Sequence, residues 1–136
     1  MKLDELTLER LKLIKENFDK IKDNTTKIDI DIDDEYINEI NEFINGTEYT
    51  VNEFIVMATS NKLFEYFKNN NPQIREKIID IAEAQLLFKK IDENENENLL
   101  NIRYYIYNNF DRKKDAYILP IDEYNEIQEN IKNIKK

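Results

Sequence analysis

Apolar residues in the first stretch of the chain recur at helical spacing. Leu3, Leu11, Ile14, Phe18 and Ile21 fall on one narrow arc at about 100° per residue, and charged side chains occupy most of the remaining circumference. This predicts an amphipathic helix over residues 3–22. Asp23, Asn24, Thr25 and Thr26 break it, and Lys27-Ile28-Asp29-Ile30-Asp31-Ile32 then alternates with period two. That alternation is the pattern of a strand with one buried face, here Ile28, Ile30 and Ile32. Asp33 and Asp34 suit a helix N-terminus, and Tyr36, Ile37, Ile40, Phe43 and Ile44 keep helical spacing up to Asn45-Gly46, where the chain's single glycine suits a helix C-cap.

Thr50-Val51-Asn52-Glu53 has the spacing of a capping box, in which a Thr and a Glu three residues on satisfy each other's backbone N–H groups. The helix it opens carries Phe54, Ile55, Val56, Met57, Ala58, Leu63, Phe64, Tyr66 and Phe67 around most of its circumference, so burial on more than one side is expected. Asn71-Pro72 reads as a cap and first turn opening a further helix to about Ile91, with Ile74, Ile78, Ile79, Ala82, Leu86 and Leu87 as its apolar positions. Residues 92–98 read as a loop. Leu99–Phe110 resumes helical spacing, Asp111–Asp115 forms a basic turn, Ala116–Leu119 is a short strand ended by Pro120, and residues 121–134 predict a last amphipathic helix.

The expected fold class is therefore mainly α, organised as an N-terminal helix (1–24), a strand-helix-helix module (25–70) and a helical extension with one short strand (71–136). A chain of 136 residues can bury roughly two-thirds of its unfolded surface in a core. With 40% hydrophobic residues, 8 Tyr and 7 Phe it is too apolar to be disordered, although 36% of its residues are charged. No transmembrane run or secretory signal stands out, so a cytoplasmic protein with no membrane association is expected.

The absence of Cys and His removes thiolate nucleophiles, Cys/His zinc sites and the commonest general base. The acidic stretches 28–35 and 92–98 lack the Gly and Glu placements of an EF-hand loop and read as solvated acid. No carboxylate pair is marked out by spacing or by a partnering base, so no enzyme activity, cofactor, metal or small-molecule substrate is expected.

Residues 27–67, taken as strand, helix, Gly turn and capped helix, resemble the ribbon-helix-helix family of small DNA-binding repressors and antitoxins. Thr50, Asn52, Glu53, Phe54, Ile55 and Ala58 stand where that family starts its second helix and places its apolar, apolar, x, x, Ala pattern. The resemblance implies a homodimer in which two copies of residues 27–32 pair antiparallel, with Ile28, Ile30, Ile32, Ile37, Ile40, Phe54, Ile55 and Ala58 in the shared core. It also implies that Lys27, Asp29 and Asp31 face the DNA major groove while backbone N–H groups of Thr50, Val51 and Asn52 hold a phosphate.

Charge departs from that pattern. Residues 25–70 hold three cations (Lys27, Lys62, Lys68) against ten anions, a net of −7 out of −9 for the whole chain. DNA affinity depends on Lys and Arg displacing condensed counterions, and this stretch offers few. Basic phosphate anchors would have to come from Arg10, Lys12, Lys15, Lys20 and Lys22, or from Arg112, Lys113 and Lys114. Three roles remain open on the sequence. One is a DNA-binding transcriptional regulator or antitoxin, as on a phage or plasmid. Another is an acidic inhibitor of phage anti-defence or anti-CRISPR type, which mimics nucleic acid in the basic groove of a nucleic-acid-binding protein. The third is a dimeric scaffold with neither activity.

Overall fold

The computed structural model describes residues 3–73, 77–93, 103–110, 117–120 and 129–130. The chain divides into two compact units between Leu63 and Phe64, and among the described residues helix dominates.

In the first unit, helix α1 runs Glu5–Ile21 and ends in a 3₁₀ turn, Lys22–Asn24. Asp4 caps it: the Thr7 N–H donates to one carboxylate oxygen at 2.7 Å and the Thr7 hydroxyl to the other at 3.0 Å. The backbone hydrogen bond from Thr7 is the main reason the Asp4 carboxyl is held below its ordinary range. The buried side of α1 comprises Leu11, Leu13 and Ile14, of which Leu13 lies outside the arc expected from the sequence.

Helix α2, Asp34–Ile44, starts where Asp33 accepts the Glu35 N–H at 2.7 Å and buries Ile40 and Ile44. Just beyond its end Gly46 adopts φ +79°, a left-handed conformation that glycine takes without steric cost. Helix α3, Val51–Asn70, opens on the expected reciprocal cap. The Thr50 N–H donates to the Glu53 carboxylate at 2.8 Å, and the Glu53 N–H donates to the Thr50 hydroxyl at 3.1 Å. Met57 is buried on this helix, whereas Val56, Leu63 and Tyr66 are exposed, so its apolar circumference is not fully covered.

Residues 25–33 belong to neither helix nor strand. Ile28 is 71% exposed and Ile30 54%. The strand expected over 27–32 is thus absent from the single chain. A strand is defined by ladder hydrogen bonds to a neighbour, and alternation of apolar and polar residues alone does not supply one.

The second unit holds strand β1, Lys77–Asp80, helix α4, Ile81–Asp92, strand β2, Arg103–Tyr107, and strand β3, Tyr117–Pro120. The sheet order is β1-β2-β3. Strands β1 and β2 are parallel, with Ile79 opposite Ile106, and β3 is antiparallel to β2, with Leu119 opposite Tyr104.

Two expectations are corrected here. The segment 71–91 is not one helix: Lys77–Asp80 is a strand with Ile78 and Ile79 both buried, and the helix starts only after Asp80, whose carboxylate accepts the Glu83 N–H at 2.9 Å. Nor is 99–110 a helix, because Arg103–Tyr107 is strand β2. In both cases a short run of β-branched and aromatic residues pairs along the sheet, a long-range contact that local periodicity does not report. The extension is therefore a strand-helix-strand-strand unit rather than a helical one. The short strand expected over 116–119 is present as β3, and it pairs with β2. Residues 94–102 and 111–116, and all of 121–134 except 129–130, lie outside the described residues, and with them the basic turn and most of the last predicted helix.

One side of this sheet packs Ile79, Tyr104 and Ile106 with Ala84 and Leu87 of α4, while Ile81, Phe88 and Ile91 lie against the cluster. Burial pushes the Tyr104 hydroxyl above its ordinary range. The alternate β2 residues stack on the last turns of α3, which from Phe64 on belong to this second unit: Phe67 lies 4.7 Å from Tyr107 and 5.7 Å from Tyr105, and Phe64 lies 5.7 Å from Tyr107.

Candidate functional site

Among the described residues of the first unit, one feature with room for a ligand or partner is a groove of about 480 Å³ between α2 and α3. It is assembled by helical spacing. Tyr36, Ile40 and Phe43 lie three or four residues apart and line the α2 wall, while Phe54, Ile55 and Ala58 line the α3 wall. Phe43 and Phe54 stack with ring centroids 6.0 Å apart and planes 14° from parallel, which ties the two walls together. Ile32 enters from the segment before α2. The polar part of the lining consists of Glu39, Thr59 and Lys62.

Five of the eight residues expected in a dimer core, Ile32, Ile40, Phe54, Ile55 and Ala58, therefore line one groove. Ile37 is half-buried outside that lining, and Ile28 and Ile30 project into solvent from residues 25–33. An apolar groove and two exposed isoleucines leave apolar area in water that association would remove, at about 25 cal/mol per Å². Tyr36 and Phe43 share the helical spacing that marks Ile40. Glu39 and Lys62 gave no signal in the sequence, where they are indistinguishable from solvated charges.

The residues expected to meet nucleic acid lie elsewhere. Lys27, Asp29 and Asp31 are all exposed in the segment that carries Ile28 and Ile30, and acid continues through Asp33, Asp34 and Glu35. Thr50, Val51 and Asn52 sit at the start of α3, where the Thr50 N–H is already committed to Glu53.

The electrostatics at that helix start come partly from α1. The Lys15 ammonium donates to the Glu48 carbonyl oxygen at 3.2 Å and lies 5.8 Å from the centre of the Tyr49 ring. The Tyr49 hydroxyl is pushed up first by burial and then by the charges of Glu48, Glu53, Glu9 and Glu16. Acidic residues of α1 and of residues 48–53 thus act on Tyr49, while the Lys15 ammonium sits against the same turn. Lys15, one of the anchors suggested by the sequence, contacts this turn.

Compared with protein-family models, with curated proteins and with solved structures, the chain matches none. Among the described residues no helix is long and apolar enough to cross a membrane.

Proposed function

We propose that the chain acts as a homodimer of ribbon-helix-helix type, in which residues 27–32 of two copies pair and close the α2–α3 groove, and that this dimer is a DNA-binding regulator or antitoxin. The observation that carries the dimer is the groove itself. It gathers Ile32, Ile40, Phe54, Ile55 and Ala58, and Ile28 and Ile30 of the same preceding segment are exposed. The DNA-binding role follows from the resemblance of residues 27–67, which is an argument from fold analogy.

A second reading is favoured by charge. Asp29, Asp31, Asp33, Asp34 and Glu35 are all exposed, as are Glu16 on α1 and Glu48 before α3. Such a surface suits the basic groove of a nucleic-acid-binding protein, which makes an acidic inhibitor the alternative role. Titration against mixed-sequence duplex DNA at low salt separates the two. Binding that weakens steeply as salt rises supports the regulator and rules out the mimic. No binding even at very low salt contradicts the regulator.

A further inference from the structure

Asn45 and Gly46 form the middle of the turn that follows α2, and both are exposed. Their backbone is a type II β-turn. Asn45 has φ −56° and ψ 130°, Gly46 has φ +79°, and across them the Thr47 N–H donates to the Ile44 carbonyl oxygen at 2.9 Å. The Thr47 hydroxyl donates to the same oxygen and accepts the Tyr49 N–H at 3.2 Å, so Thr47 clamps the turn through its side chain as well as its backbone. We propose that Asn45-Gly46 is a self-modification site, at which the Asn45 side-chain amide is lost through a succinimide at a rate set by the Thr47 clamp.

The reaction needs only this chain and water. The Gly46 backbone nitrogen attacks the Asn45 Cγ, the new C–N bond closes a five-membered ring, and the side-chain nitrogen leaves as ammonia with the proton that the Gly46 nitrogen gives up. Water then opens one ring carbonyl or the other, which yields aspartate or its β-linked isomer. Glycine hinders the closure least because it has no Cβ beside the attacking nitrogen, and Gly46 is the chain's single glycine, so no other Asn is so placed. A Cβ placed on Gly46 would meet nothing within 4 Å, which leaves the turn room to rotate. The brake is backbone geometry. Closure needs the Gly46 nitrogen eclipsed with the Asn45 Cβ, and at ψ 130° it is turned well away. The turn must therefore leave the type II form against the two hydrogen bonds that join Thr47 to Ile44.

The products place a carboxylate, or a backbone longer by one methylene, in the connection between α2 and α3. The last turn of α2 holds no basic residue, so the new charge meets the negative end of that helix uncompensated. It also makes the net charge one unit more negative than −9.

The test incubates the full chain in mildly alkaline buffer as wild type, Thr47→Val, Thr47→Ser and Gly46→Ala, with wild type in urea as the clamp-free reference, and follows each by peptide mass mapping. The folded wild type should gain about 1 Da, as amide becomes acid, in the peptide that contains Asn45 and more slowly than in urea. Thr47→Val should react roughly fivefold faster than the wild type, the rate equivalent of one net hydrogen bond. Thr47→Ser keeps the hydroxyl and should match the wild type, while Gly46→Ala should all but stop the gain. No gain at this peptide in the folded wild type, or an equal gain at the other Asn peptides, overturns the site. Equal rates for wild type and Thr47→Val, or a Ser variant as fast as the Val variant, overturn the clamp.

Discussion

The Phe43 and Phe54 rings stack nearly parallel across α2 and α3, with centroids 6.0 Å apart, and this contact gives the groove its shape. Both side chains are only half-buried in the single chain. Phe54→Ala should therefore cost less than a fully buried Phe, about 2 kcal/mol of stability in denaturant unfolding. It should also loosen the proposed dimer, in which the ring belongs to the surface that a second copy would cover. A variant that loses stability but dimerises as tightly as the wild type would remove Phe54 from the interface.

The Thr50–Glu53 cap fixes where α3 begins. Thr50→Ala removes the hydroxyl that receives the Glu53 N–H and should lower stability by about 1 kcal/mol, while Thr50→Ser retains most of it. Thermal unfolding of the three proteins side by side checks this, with the order wild type, Ser, Ala.

Asp80 ends β1 and caps α4 from a site only 1% exposed. Asp80→Ala leaves the α4 N-terminus without its side-chain acceptor in a buried position, which should cost about 2 kcal/mol. Asn is also a good N-cap, so Asp80→Asn should recover a large part of the loss. Equal damage from both would show that the carboxylate charge, rather than the cap, is what the site needs.

These caps also mark what the sequence made legible. Asp33, Gly46 and the Thr50–Glu53 pair act within one turn of their own position, so the ends of α2 and α3 could be read from local residues. The strands β1 and β2 could not. Lys77–Asp80 and Arg103–Tyr107 are runs of four and five residues whose state is settled by pairing with each other across the intervening α4. A run that short has too few positions to separate a period of two from one of 3.6. The apolar lining of the groove was legible for the same reason as the caps, because Tyr36, Ile40 and Phe43 repeat at helical spacing. Glu39 and Lys62 were not, since a charge at a groove rim looks like any solvated charge until the two helices are placed side by side.

Alkaline pH should destabilise the second unit through Tyr104. Burial raises its hydroxyl above the ordinary value of 10.0, so deprotonation is easier in the unfolded chain than in the folded one. The stability it contributes is complete below about pH 10 and is lost as pH rises through the higher folded value. Denaturant midpoints at pH 8 and pH 11 should fall less for Tyr104→Phe than for the wild type. An identical fall for both would assign the alkaline loss to other groups.

In the proposed dimer a second copy covers Ile28, Ile30 and the α2–α3 groove. Sedimentation equilibrium of the wild type and of Ile30→Gly at micromolar concentration tests it most directly, since glycine removes buried apolar area and weakens the strand together. The dimer requires twice the chain mass for the wild type and a shift toward the single-chain mass for the variant. A wild type that sediments as a monomer would contradict it.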